Sequence, residues 1–423
     1  YFVDSEEYQT MNVLGIIAEY NPFHFGHAYQ IETLKKETNA DYVIIAMSGN
    51  FVQRGAPALL DKYTRARMAL TCGADLIFEL PVLYSTASAP YFAMGGISLL
   101  QNTGVVTHLG FGTEHDNLTL LQRISDTLMQ NPPEFQNRLQ QELKNGLSFP
   151  AARAKALEAV FCNSKCDNLS QIRDVLASPN NILAIEYLNA LSLFDSSMIP
   201  CPLLRKGQGY HDTALSEGFC SASAIRKHLK DGKAAIDNRS MPEAALQLLM
   251  DYPHAFLFED DFSQLLHYKL LTESAKTLAC YADSSPELAN RMLRARDSFV
   301  SWTQFCQLLK AKNTTYTRIS RLLLHLILNI TSDDYKILER KSPVPYLRVL
   351  GFRKSAASLL SSVKKSAGVP LITSAADAHH SLPPEALSLL QMDIRASDIY
   401  QLALNAKGSR HLLNDYRHPI VTI

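Results

Sequence analysis

The chain lacks any apolar run of the roughly 18 residues needed to span a bilayer, so no membrane partner is expected. It also lacks net charge. Forty-one Lys/Arg stand against 41 Asp/Glu, which excludes a protein that is strongly basic or strongly acidic as a whole. A cysteine framework is missing as well. The seven cysteines (Cys72, Cys162, Cys166, Cys201, Cys220, Cys280 and Cys306) are odd in number and scattered. Cys162 and Cys166 have no second pair at metal-site spacing, so no metal ligands are assigned and reduced thiols in a cytoplasmic protein are expected. Residues 1–10 are polar and acidic, carry no secretory signal, and read as an extension ahead of Met11. Internal repeats and low-complexity tracts are absent too. What remains is ordinary globular material, 47% hydrophobic over 423 residues, long enough for two or three domains.

The first half alternates short apolar runs with helical patterns. Strands are expected at 13–18, 42–47, 76–79 and 108–111, and helices at 26–36, 61–71, 92–101 and 118–129. That alternation predicts an α/β fold with a Rossmann-like parallel sheet and crossover helices. Residues 132–195 read as helical beyond the Pro132-Pro133 breaker, and another strand is expected at 197–204. From about 240 the chain is mainly helical, notably at 316–330 and 393–405, with a small α/β patch around 346–352 and 369–373.

Chemistry concentrates at Asn21-Pro22-Phe23-His24-Phe25-Gly26-His27, between the first strand and the first helix. A helix N-terminus offers unpaired N–H groups and partial positive charge to an anion. His24 and His27, one turn apart, add donors for a phosphate whose oxygens gain charge, while Gly26 keeps a side chain from blocking close approach. An isolated H-x-x-H usually marks buried or capping histidines, and a zinc pair would need ligands that are not nearby. In an open parallel sheet, however, ligands sit at the carboxyl ends of the strands, where this turn falls. The setting favours attack on the α-phosphate of a nucleoside triphosphate.

Ser221, Ser223 and Arg226 form a second element at a helix start, where hydroxyls, free N–H groups and a guanidinium can clamp a phosphate. The plain alternative is a serine cap with a surface arginine; the upstream histidines favour the clamp. Charge is also unevenly spread. Between Arg291 and Lys365 fifteen Lys/Arg face four acids, so a polyanionic partner for the C-terminal half is as reasonable as a solvated basic surface.

Asn-Pro-Phe-His-x-Gly-His with a later Ser-x-Ser-x-Ile-Arg resembles the His-x-Gly-His nucleotidyltransferases, relatives of the class I aminoacyl-tRNA synthetases. Residues 15–27, 47–55, 73–81, 179–183, 209–212 and 345–352 are similar, in order, to motifs of the bacterial tRNA(Met) cytidine acetate ligase family. The likeness runs from Met11 nearly to Ile423. One departure is Ala56, where the family's Gln-Arg-Gly-Glu-Pro run has glutamate.

The resemblance implies N4-acetylation of the wobble cytidine of elongator tRNA(Met), using ATP and free acetate through an acetyl-adenylate. Magnesium is expected to accompany ATP, and no DNA is expected as partner. It implies ATP contacts at Ile17, Ala18, Glu19, Tyr20, Asn21, Pro22, Phe23, His24, Phe25, Gly26, His27, Ala28, Tyr29 and Gln30, with Gly112, Asn180 and Arg205 completing the pocket beside Ser221, Ser223 and Arg226. His24 and His27 would be catalytic. Gln53 and Arg54, after the second strand, are candidates for acetate or the cytosine, and Arg318 and Arg321 for tRNA phosphates. The expected organisation is an extension (1–10), a nucleotidyltransferase-like catalytic domain (11–235) and a mainly helical C-terminal domain (236–423). Two alternatives stay open. A small-molecule adenylyltransferase would leave the basic C-terminal half unexplained, and a non-catalytic tRNA-binding protein would leave the intact histidines and clamp unexplained.

Overall fold

A computed structural model describes residues 11–162, 169–205, 220–232, 239–339, 343–409 and 411–423. Residues 1–10, Cys166 and the motif at 209–212 lie outside the described residues.

Ten strands are described: β1 (Val13–Ala18), β2 (Tyr42–Ser48), β3 (Phe51–Val52), β4 (Ala56–Pro57), β5 (Leu76–Leu80), β6 (His108–Thr113), β7 (Ile199–Leu204), β8 (Leu347–Phe352), β9 (Leu371–Ile372) and β10 (Val421–Thr422). Eight of them make one sheet in the order β10-β8-β5-β2-β1-β6-β7, with β9 against β8. The run β5-β2-β1-β6-β7 is parallel throughout. This is the Rossmann-like sheet that the alternation predicts. The chain winds outward from β1 through β2 to β5, then returns to the other side of β1 as β6. The switch in strand order therefore lies between β1 and β6, where open α/β sheets hold their ligands.

Strand alternation sorts the two faces. Leu14, Ile16, Val43, Ile45 and Met47 pack beneath the helices Phe25–Glu37 and Lys62–Thr71. Val13, Ile44, Ala46 and Phe78 face the other way, toward Ala93, Ile97 and Leu100 of the helix Ala89–Asn102. Beyond β7 the chain is mainly helical, with Tyr316–Leu328 buried along almost its whole length.

The sheet crosses the expected boundary at 235/236. Strand β8 joins β5 antiparallel, and β10 pairs with β8, so the C-terminal segments complete the N-terminal sheet. Four buried charges fasten them there. Lys62 Nζ lies 2.7 Å from both Glu79 and Asp415, and Arg348 lies 2.9 Å from Glu79 and 3.0 Å from Asp415. No helix among the described residues is long and apolar enough to cross a membrane.

Candidate active site

The turn after β1 is built around His24. Its backbone is extended, and its Nδ1 accepts the N–H of Gly26 at 3.0 Å, so it caps the helix Phe25–Glu37. His27 returns the favour through Nδ1, which accepts the N–H of His24 at 3.3 Å. The two rings stack with centroids 3.8 Å apart. Gly26 has a sharper role here than general backbone access. A Cβ on it would lie 2.8 Å from Cε1 of His24, too close for the ring to stay where it is. The capping role and the site role of His24 are thus one arrangement.

Electrostatics fix the protonation state. Burial, with Arg205 and Arg226 nearby, pulls His24 down to about 3. Burial, then His24 and Arg205, hold His27 well below the ordinary imidazole value. Both rings are neutral near neutral pH. Because each Nδ1 accepts a hydrogen bond, the hydrogen-bond network assigns the proton to Nε2 on both. The stack therefore carries two Nε2–H donors and no charge.

The distant element joins this turn directly. Ser221 caps the helix Ala222–Lys230, its Oγ accepting from the N–H of Ala224 at 3.1 Å. One turn in, Arg226 donates to the main-chain oxygen of Asn21 at 2.6 Å and to Ser223 Oγ at 3.1 Å. Ser221 is thus a helix cap, and Arg226 is a bridge between the two motifs rather than a loose surface arginine.

A cavity of about 260 Å³ opens between them, lined by Ile17, Ala18, Glu19, Tyr20, Asn21, His24, Gly26, His27, Tyr29 and Gln30 on one side. Gln53, Arg54, Gly112, Asn180, Arg205, Ser221, Ser223 and Arg226 also line it. Pro22, Phe23, Phe25 and Ala28 do not. Phe23 is instead a support, buried against Tyr20 and His27 with centroids 4.9 and 5.5 Å away. Ala56, in β4, is also outside the lining.

Neighbours hold the lining in place. Asn180 Nδ2 donates to Glu114, whose other oxygen accepts the N–H of Asn181 at 3.2 Å. Arg205 lays its stem over Gly112, where a Cβ would meet Cγ at 3.4 Å. Arg65, fully buried, donates to the carbonyls of Leu60 at 3.0 Å, Glu19 at 2.6 Å and Ser48 at 3.1 Å, and also to that of Gly49. It ties together the carboxyl ends of β1 and β2, from which the site loops spring. Gln53 gives its N–H to Glu19 Oε1 at 2.9 Å.

The C-terminal candidates come to the rim of this loop, but not as free charges. Ser320 Oγ donates to the carbonyl of Gly55 at 2.8 Å. Gly55, at φ +75°, packs so closely that a Cβ would lie 2.3 Å from the backbone nitrogen of Arg321. Arg321 is buried and makes a two-pronged pair with Asp283 at 2.8 and 2.9 Å, while Arg318 Nε donates to the Asp283 carbonyl at 3.1 Å. The reading of Arg321 as a phosphate contact needs correction for that reason: its fork is filled by a carboxylate. Arg348 is likewise spent internally, so the count of fifteen overstates the basic surface.

The sequence reading missed Phe92, Phe111, Leu183, Tyr187 and Leu203 in the lining. Phe111 adjoins Gly112 and Leu183 adjoins the 179–183 motif, so proximity could have flagged them. Phe92 and Tyr187 carry no such signal; helix packing alone brings them in.

The family model described as HIGH Nucleotidyl Transferase matches residues 11–415. A tRNA(Met) cytidine acetate ligase of Halothermothrix orenii is 38% identical, covering 97% of this chain and 99% of the relative. One of Clostridium perfringens is 39% identical, covering 92% and 95%. Among solved structures, apo TmcAL of Thermotoga maritima superposes with a TM-score of 0.93 at 31% identity, covering 98% of this chain and 100% of that one. The form of that protein bound with alpha-thio ATP superposes at 0.88 with 30% identity, covering 97% and 99%.

Proposed function

The chain belongs to the tRNA(Met) cytidine acetate ligases of the HIGH nucleotidyl transferase family, and from that membership we propose a two-step reaction carried by the residues of the cavity. It is a ligase that uses ATP. In the first step an acetate oxygen attacks the α-phosphate and pyrophosphate leaves. In the second, N4 of the wobble cytidine of elongator tRNA(Met) attacks the acetyl carbonyl and AMP leaves. The cytosine amine is a poor nucleophile because its lone pair is delocalised into the ring, and acetate is inert until it carries a good leaving group. Activation by adenylation answers both.

The observation that carries this reading is the bond from Arg226 to Asn21, which makes one cavity of two motifs. His24 and His27 offer neutral Nε2–H donors to the α-phosphoryl oxygens as charge builds, each such donor contributing about 10²–10³ in rate. Ser221, Ser223 and Arg226 take the β- and γ-phosphates at a helix N-terminus. The turn 17–30, through groups other than the Glu19 carboxylate, holds the rest of ATP together with Gly112, Asn180 and Arg205. Magnesium would arrive on the phosphates, which usually supply most of its ligands besides water. Gln53 and Arg54 are assigned to acetate or the cytosine. Arg318, in the helix whose Ser320 and Arg321 pack on Gly55, is assigned to a tRNA phosphate. The acceptor base must leave its stack to reach the adenylate. A tRNA acceptor puts the proposed activity in the cytoplasm.

Incubation with ATP, labelled acetate and total tRNA tests the proposal. Label entering tRNA is the expected result. ATP consumed against a small-molecule acceptor, with tRNA unlabelled, would replace it with an adenylyltransferase. Tight tRNA binding without ATP turnover would leave a binding protein.

A further inference from the structure

We propose that Glu19 takes the proton from the cytosine amine in the second step, an assignment that rests on the two-step reading above. Glu19 follows β1 and lines the cavity together with His24, His27 and Gln53. Its Oε1 accepts the N–H of Gln53 at 2.9 Å, while Oε2 has no hydrogen bond and the carboxylate has no ion pair among the described residues. Arg65 fixes its main chain through the carbonyl at 2.6 Å. The side chain is thus anchored at one oxygen and open at the other.

A free carboxylate oxygen is the wrong charge for the first step. ATP and acetate are both anions, and Glu19 repels each of them. The incoming group that gains from it is the cytosine amine, which brings N–H donors and no charge. Tyr187 supports the same reading. It lines the cavity at 6% exposure, its hydroxyl carries no hydrogen bond among the described residues, and Glu19 lies near enough to help raise its pKa, which burial raises most. Glu19 and Tyr187 together offer an acceptor for an N–H and a donor for a C=O. A nucleophilic amine and the carbonyl it attacks need that pair.

The step balances without another reactant. The N4 lone pair forms a bond to the acetyl carbon, the bond from that carbon to the phosphoryl oxygen breaks, and AMP leaves with the electron pair. The N4 proton, made acidic as the bond forms, passes to Glu19 Oε2 and then to water. A positioned base of this kind typically contributes about 10²–10⁴-fold.

Glu19→Gln keeps an amide oxygen for the Gln53 N–H and removes the base. Two measurements separate the steps: acetate-dependent exchange of pyrophosphate into ATP, and single-turnover transfer from supplied acetyl-adenylate to tRNA(Met). Transfer is expected to fall by about 10²-fold more than exchange. Glu19→Ala should regain part of its transfer rate with added formate, which a merely structural loss would not allow. Equal losses in exchange and transfer would overturn the assignment and give Glu19 to ATP or its metal; unimpaired transfer would overturn it as well. If the wild-type chain transfers no acetyl group to tRNA from either source, the two-step reading itself falls, and this assignment with it.

Discussion

Arg226 donates to the main-chain oxygen of Asn21 at 2.6 Å across a sequence separation of 205 residues. The same guanidinium reaches Ser223 Oγ at 3.1 Å, so its planar fork spans two elements that the chain brings together only by folding. Arg226→Lys keeps the charge but places a single ammonium where the fork held two partners. Loss of one charge-assisted hydrogen bond costs about 1.5–3 kcal/mol. ATP binding should weaken by roughly ten- to a hundredfold in titration calorimetry. Wild-type affinity in the lysine variant would reduce Arg226 to a point charge.

Gly26 gives a prediction that runs against helix propensity. It lies in the first turn of Phe25–Glu37, where alanine ordinarily stabilises by about 0.5–1 kcal/mol. Here the added Cβ meets the His24 ring at 2.8 and 3.0 Å, and the ring must swing off its cap and its stack with His27. Gly26→Ala should therefore melt within a few degrees of wild type, because the lost cap and the gained propensity are each about 1 kcal/mol. Its pyrophosphate exchange should still fall by about 10²-fold or more, the scale of losing one such donor. An active variant would mean that the histidine stack is dispensable.

Much of this site could be read before the fold was known, for a physical reason. The turn Asn21–His27 is local: its strand, cap and helix lie within one short stretch, so periodicity and residue type reveal it. The five parallel strands were legible on the same grounds. What the residues could not show is where long-range partners end up. Arg321 reads as an exposed helix arginine until Asp283 is found opposite its fork, and nothing local to either residue announces the other. Strand β8 reads as part of a separate patch, yet it pairs with β5, and Arg348 meets Glu79 across that pairing. Tyr187 sits in a helix with no one-sided apolar face, so only packing decides which residue reaches the cavity.

The buried charges Lys62, Glu79, Arg348 and Asp415 set a large stability effect far from the chemistry. Each carboxylate contacts both cations, and all four side chains are at most 5% exposed. Breaking a buried pair costs about 3–5 kcal/mol, because a charge is left without its partner. Lys62→Met should destabilise the chain by that amount in denaturant titration. The C-terminal strand β10 should loosen first, seen as faster amide exchange at Val421 and Thr422. A variant as stable as wild type would mean that Arg348 alone satisfies both carboxylates.

The neutral histidines make a pH prediction with a definite sign. His24 is held down to about 3 by burial and by Arg205 and Arg226, whereas an unfolded imidazole titrates near 6.5. Between those values the unfolded chain binds a proton that the folded chain refuses, so stability rises with pH across the window. Stability should therefore be lost as pH falls from about 6.5 toward about 3, with His27 adding to the slope in the same direction. His24→Asn replaces the capping Nδ1 with an amide oxygen and removes the titration, so its melting temperature should depend less on pH than that of wild type. With each Nδ1 accepting a backbone N–H, the rings meet a triphosphate as neutral Nε2–H donors. The calorimetric heat of ATP binding near pH 6 should therefore depend on buffer ionisation enthalpy no more in wild type than in the asparagine variant. A larger proton uptake in wild type would mean that the rings charge on binding and donate as imidazolium.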